Sequence, residues 1–255
     1  LKRDGFVQTA VSFVERPLRH FPSVYRFASR ALYRLDRSFY TLSPGLPIAL
    51  QRAMSMLATN GLLGTTDYYE FGVFRGYALY AAQKAARDLG AASMRFYGFD
   101  SFQGLPVVEG VDHGGSMFFQ GQFSCSRDFV ERALREKGAD MRTITLVEGF
   151  YADSLTPELR LRHSFKPVGV ALIDCDLYAS TVPVLAWLTD LLRPGSILMM
   201  DDWHAFGDDP SRGQQLALAE WSQSRPDAVL EYAFDFGAHG RAFSLNAIAN
   251  PNPAP

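Results

Sequence analysis

Cysteine is scarce in this chain, with Cys125 and Cys175 alone among 255 residues, and Cys175 closes a run that reads as a buried strand. Two such residues supply no disulfide framework, so a reducing compartment is expected. No apolar run approaches the roughly 18 residues needed to span a bilayer, and the start has no signal-peptide h-region. The expectation is a soluble, cytoplasmic protein with no transmembrane segment. Net charge is also small, at −2, which gives no overall pull toward nucleic acid. Internal repeats are absent, and low complexity is confined to the closing NPNPAP, where residues 251–255 read as a disordered tail.

The little charge there is lies unevenly. Residues 1–40 hold eight Lys/Arg against three acids, a local +5 that leaves −7 for the remainder. In the same stretch Val7, Val11, Val14, Leu18, Phe21, Tyr25, Ala28, Leu32 and Leu35 recur at four and three spacings, interrupted by Pro17 and Pro22. This pattern predicts short helices with basic faces, broken at the prolines and suited to packing on the core or on a second subunit as a homo-oligomer. A further helix is predicted within 44–63, with Leu50, Met54 and Leu57 on one side and its end near Asn60 and Gly61. Residues 1–63 thus form an N-terminal helical extension, and residues 64–250 the main domain.

A hydrophobic content of 47% is enough for a substantial core. Two apolar runs dominate it: VGVALIDCD, closing on Asp174 and Asp176, and SILMMDDW, closing on Asp201 and Asp202. Unbroken apolar runs of this length read as parallel strands buried on both faces. Between them Val184, Leu185, Leu188 and Leu192 fall at helical spacing before Pro194 and Gly195, and Pro183 is tolerable if it lies in the first turn. Strand, helix, strand brings both carboxyl ends to one edge of a sheet. Upstream come strands at Asp67–Phe71, at MRFYGFD and at TITLVE; downstream come AVLEYAFDF and RAFSLNAI, joined at Gly-Ala-His-Gly. The fold class is therefore α/β: a Rossmann-like, doubly wound, mostly parallel sheet of seven strands with a C-terminal antiparallel hairpin. The Gly-rich, aromatic segment SFQGLPVVEGVDHGGSMFFQGQF is long for a connection, and its Met117, Phe118 and Phe119 favour a lid or substrate wall.

The chemistry sits at the strand ends. Gly72 and Gly76 follow Glu70 in a turn that opens a helix, where glycine lets the backbone approach a ligand and the helix N-terminus adds positive potential. Phe74 stands where a dinucleotide fingerprint wants its second glycine, so a ligand without phosphates, such as S-adenosylmethionine, fits better. Asp100, with Ser101 beside it, is placed to accept hydrogen bonds from ribose hydroxyls, and Glu148, Gly149 and Phe150 lie near an adenine ring by topology. Asp174, Asp201 and Asp202 offer hard oxygen ligands suited to Mg²⁺, since three crowded acids without a cation would repel one another. Chelation of a substrate hydroxyl would lower its pKa, leaving Asp176 or His204 to take the proton and making Asp174, Asp176 and His204 the candidate catalytic residues. A competing reading takes Asp174-Cys175-Asp176 as the acid pair of a nucleotide-sugar glycosyltransferase; against it stand the glycine turn, Asp100 and the closing hairpin.

The pieces EFGVFRGYAL, FYGFDSFQGLP, LVEGFYADSL, ALIDCDLYASTVPVL and LRPGSILMMDDW run in order through residues 67–203. With them the chain resembles class I S-adenosylmethionine-dependent methyltransferases, and more closely the macrocin and mycinamicin-type sugar O-methyltransferases. The resemblance implies that Glu70, Gly72 and Asp100 contact the cofactor, that Asp174, Asp201 and Asp202 hold Mg²⁺, and that a small-molecule, sugar-containing hydroxyl acceptor completes the site. A catechol-like phenol is the alternative acceptor. Phe71 stands where a smaller residue is usual beside the glycine turn, which implies a tighter cofactor site.

Overall fold

The computed structural model describes residues 39, 41, 43, 45–113 and 118–248. The helices expected before residue 39, Met117 and the tail lie outside the described residues.

Strands β1 (Asp67–Phe71), β2 (Phe96–Asp100), β4 (Val168–Ile173) and β5 (Ile197–Met200) are buried at every position. Continuous apolar or aromatic sequence is what permits burial on both faces. With β3 (Ile144–Glu148), β6 (Ala228–Phe236) and β7 (Gly240–Ile248) they form one sheet in the order β3-β2-β1-β4-β5-β7-β6. The first five strands in that order pair in parallel and β7 pairs antiparallel with both β5 and β6, as the hairpin signal predicts.

Helices cover both faces. Leu46, Leu50, Ala53, Met54 and Leu57 of α1 (Leu46–Thr59) share one core cluster with Leu79 and Ala82 of α2 (Tyr77–Asp88), Val130 and Leu134 of α3 (Arg127–Glu136), and Tyr68, Leu172 and Met199 of the sheet. The helix predicted within 44–63 is therefore part of the sheet's own cover. On the other face Tyr69, Phe71, Phe99, Ile173 and Met200 pack with Leu185, Trp187 and Leu188 of α6 (Tyr178–Leu188) and Leu218 and Trp221 of α7 (Gly213–Ser224). Two short helices, α4 (Tyr151–Ser154) and α5 (Pro157–Arg162), bridge β3 to β4.

Two expectations need correction. Pro183 lies beyond the first turn of α6, inside the helix, because Asp112 carboxylate oxygens accept from the amides of Tyr178 and Ala179 and start the helix there. Phe71 does not crowd the turn: its ring points to the α6 face and stacks on Phe99 at 4.7 Å.

Candidate active site

Strand pairing builds the site. Phe71 pairs with Ile173 and Ile173 with Met200, so Gly72, Asp174 and Asp201 emerge side by side at the carboxyl edge. The ladder runs one step past the strands: the Gly72 amide donates to Phe99 O at 2.9 Å, Asp174 to Phe71 O at 2.8 Å and Asp201 to Ile173 O at 3.1 Å. Gly72 has φ 98°, and a Cβ there would lie 1.7 Å from the Asp174 carbonyl oxygen. The need for glycine comes first from that neighbouring strand end, not from a ligand as the turn motif alone suggests. Gly76 sits at φ 82° as the N-cap of α2, close against Val130 and Leu134.

The Asp100 carboxylate organises the turn. One oxygen accepts from the amides of Val73 and Phe74 at 2.8 and 3.0 Å, and the other accepts from Phe102 at 2.6 Å. Burial raises its pKa, and these amides oppose the rise. Ser101 is spent locally, its hydroxyl donating to Gly104 O and accepting from the Gln103 amide. Phe74 and Phe102 both adopt positive φ, 48° and 54°, a strain that the Asp100 hydrogen bonds hold in place. Glu70 is fully buried on the opposite side of the turn. Its Oε2 accepts from the Tyr68 hydroxyl at 2.6 Å and its Oε1 has no partner. Burial lifts this carboxyl to about 8.

At the neighbouring strand end Glu148 pairs in register with Asp100. Its side chain is half exposed and faces Arg127 at 3.8 Å. Gly149 donates its amide to Asp100 O at 2.9 Å, and Phe150 caps α4. Sequence reasoning passed over Tyr151, the next residue. Its hydroxyl donates to Phe99 O at 3.4 Å, and burial together with Cys175, Asp100, Asp174 and Asp176 pushes its pKa well up. This phenol therefore lies among the acids of both halves of the site.

Asp174, Asp201 and Asp202 each turn one oxygen toward the others, all within 4.8 Å. Asp202 is braced: its amide donates to Gln214 Oε1 at 3.1 Å, its Oδ2 accepts from the Asp176 amide at 2.9 Å, and Gln214 also donates to Ile173 O. Asp201 Oδ1 is buried with no hydrogen-bond partner. Burial raises the pKa of Asp174, with Asp201, Asp202, Asp176 and Glu70 adding to the rise. Asp201 and Asp202 are raised for the same first reason. An orphaned carboxylate oxygen, three converging hard donors and acids held above their ordinary range are what a divalent cation would resolve, so the residues fit such an ion.

Asp176 and His204 part company. Asp176 is buried, has φ 64°, donates its amide to Asp202 Oδ2, and has its pKa raised well up by burial first and then by Asp202, Asp201 and Asp100. His204 instead holds Asp208 through Nδ1, donates its amide to His239 O of the hairpin, and lies in the field of Asp235. Described residues of the Gly-rich segment pack against the loops after β4 and β5, with Leu105, Phe118 and Leu177 in one cluster flanked by Val108, Phe123, Ala205 and Phe206. Its buried Asp112 carries no periodic signal that would have singled it out.

With the site laid out, comparison with known proteins is informative. The sequence profile of the macrocin-O-methyltransferase (TylF) family matches residues 48–213, well over half of the chain. The 8-demethyl-8-(2,3-dimethoxy-alpha-L-rhamnosyl)-tetracenomycin-C 4'-O-methyltransferase of Streptomyces olivaceus is 27% identical over 161 residues. That alignment spans 60% of this chain and 58% of the relative, less than two thirds of its length. The solved O-methyltransferase NovP is similar with TM-score 0.65 and 20% identity, covering 78% of this chain and 79% of its own. The calicheamicin methyltransferase CalS11 gives 0.64 and 22%, covering 78% and 77%. At these identities the two structures establish a common fold, the Rossmann-like methyltransferase sheet.

Proposed function

The chain belongs to the macrocin-O-methyltransferase family, and from that premise we propose that it transfers a methyl group from S-adenosylmethionine to a sugar hydroxyl of a natural product, with Mg²⁺ at the acid trio. The observation that carries the metal part is the convergence of Asp174, Asp201 and Asp202 within 4.8 Å, with one buried Asp201 oxygen left unpartnered. Support for the sugar acceptor comes from the Streptomyces olivaceus relative, named as a 4'-O-methyltransferase of a rhamnosyl-bearing tetracenomycin.

The cofactor half of the site is the turn after β1. Asp100 fixes Val73 and Phe74 through Oδ2 and keeps a further lone pair on Oδ1, beside the one that accepts from Phe102, for a ribose hydroxyl, while Glu70, Gly72, Gly76 and Ser101 shape the turn. Gly149, Phe150 and Glu148 border the adenine side, together with Tyr151. When bound, S-adenosylmethionine supplies an electrophilic methyl group, and a divalent cation supplies Lewis acidity that lowers the pKa of an acceptor hydroxyl. Asp176 takes the hydroxyl proton. Its burial and its amide on Asp202 Oδ2 support it over His204, engaged with Asp208. The methyl group would pass to the acceptor oxygen, with the thioether of S-adenosylhomocysteine as the leaving group. What the protein contributes is positioning, with a wall of apolar side chains that excludes water.

Calorimetric titration with S-adenosylhomocysteine, with and without Mg²⁺, followed by methyl-transfer assays on rhamnosylated and catechol acceptors, tests the proposal. Cofactor binding, and turnover of a glycoside that Asp201→Ala abolishes, is the expected result. Turnover of catechols with none of glycosides would replace the acceptor, and full Mg²⁺-dependent activity in Asp201→Ala would remove the trio from the reaction.

A further inference from the structure

The four acids at the carboxyl edge ride on two loops: Asp174 and Asp176 on the β4–α6 loop, Asp201 and Asp202 on the β5–α7 loop. A third segment grips both. Asp112, 1% exposed, reaches across to the start of α6, its Oδ1 accepting from the Tyr178 amide at 2.8 Å and its Oδ2 from the Ala179 amide at 3.0 Å. From the far end of the β5–α7 loop Arg212 comes to the same turn, with Nε donating to Val111 O at 3.0 Å and Nη2 to His113 O at 3.1 Å and Asp112 O at 3.4 Å. The Arg212 guanidinium also lies over the Phe206 ring at 4.7 Å. Phe206 meets Phe118 of the wall at 5.7 Å.

We infer that Asp112 and Arg212 form a clasp that positions the two acid-bearing loops relative to each other. Inside the site the β5–α7 loop is tied to the end of β4 through Gln214 and the Asp201 amide, both on Ile173 O, whereas past Asp174 the contact between the loops is the Asp176 amide on Asp202 Oδ2. Asp176 is itself held at φ 64°, a conformation that surrounding structure must impose on a residue other than glycine. Two residues on, Asp112 fixes the first amides of α6, where a carboxylate satisfies orphan donors and matches the helix dipole. Arg212 then ties the β5–α7 loop to the same 110–112 turn. The clasp touches no reacting atom; both are positioning residues and act through the acids. The turn belongs to the wall segment, so acceptor-side packing and acid geometry move as one unit.

This inference rests on the trio binding Mg²⁺. The test follows the thermal midpoint of the full chain against MgCl₂ concentration to give an apparent Kd, beside the calorimetric Kd for S-adenosylhomocysteine, in wild type, Asp112→Ala, Asp112→Asn, Arg212→Ala and the double alanine variant. Asp112→Ala and Arg212→Ala should each weaken Mg²⁺ about tenfold, the scale seen when groups supporting a metal's ligands are removed, and leave the homocysteine ligand within about twofold. Asp112→Asn, which keeps one acceptor oxygen, should fall between. The double variant should be little worse than either single one, because both residues serve one clasp. A lower midpoint with unchanged Mg²⁺ affinity in both alanine variants overturns the clasp and reduces Asp112 to a helix cap. If Asp112→Ala does not fold, Arg212→Ala and Asp112→Asn decide alone. Wild type that binds S-adenosylhomocysteine and shows no response to Mg²⁺ overturns the cation site itself, and the clasp with it.

Discussion

At the scale of single residues, Glu70 shows how far burial can move a charge. Its carboxyl is held at about 8 against an ordinary value of 4.5, with one oxygen on Tyr68 and the other unpartnered. The native state thus binds this proton more tightly than the unfolded chain does. That contribution to stability is complete below about pH 4.5 and is lost as pH rises through 8. Without cation or cofactor, the melting temperature should fall between those limits. Glu70→Gln, which mimics the neutral acid, should flatten part of the fall and melt higher than wild type at pH 9, as read by calorimetric scans. Equal slopes in the two proteins would mean that Glu70 is ionised in the fold. The turn motif begins at Glu70 in the sequence reading, whereas the structure places Glu70 within β1, between Gly98 and Leu172 of the neighbouring strands, and its burial there depends on segments far away in the chain.

At the scale of elements, α6 joins the site to the core. Its N-terminus receives the Asp112 carboxylate, and near its C-terminus Trp187 packs its ring against Phe71, Phe99, Tyr69 and Phe165 at centroid distances of 5.2 to 6.2 Å. Removing a buried ring of this size costs about 3–5 kcal/mol in lost transfer energy and cavity. Trp187→Ala should lose that much by urea denaturation, while the Kd for S-adenosylhomocysteine measured well below the melting point stays near wild type. A loss under about 1 kcal/mol would show that the aromatic cluster recloses. The helix was legible in the spacing of Val184, Leu185 and Leu188, whereas the position of Pro183 within it was not. The register of the helix start is set by Asp112, which lies 66 residues from Tyr178 in the chain.

At the scale of the whole molecule, the sheet brings carboxyl groups from two strand ends together at one edge. Asp174, Asp201 and Asp202 are all raised by burial, so a cation must displace protons to bind. MgCl₂ should therefore raise the melting temperature at pH 8 and much less at pH 5.5. At a concentration about 100 times Kd the gain is roughly 2.7 kcal/mol. A chelator should reverse it, and Asp201→Asn should abolish most of it. An equal Mg²⁺ effect at both pH values would point to binding elsewhere on the surface.

The sequence by itself determined the layers of this protein, its strands and helices, and the fact that acids stand where strands end. Those properties are local: apolar run length, helical spacing and turn residues act within one segment. Only the tertiary structure decided that Gly72 is demanded by the Asp174 carbonyl, that the Asp176 amide binds Asp202 while His204 holds Asp208, and that Asp112 and Arg212 reach the loops that carry the acids. Each of these is a contact between segments far apart in the chain, set by strand pairing and loop packing, and such contacts leave no periodic trace in the order of residues.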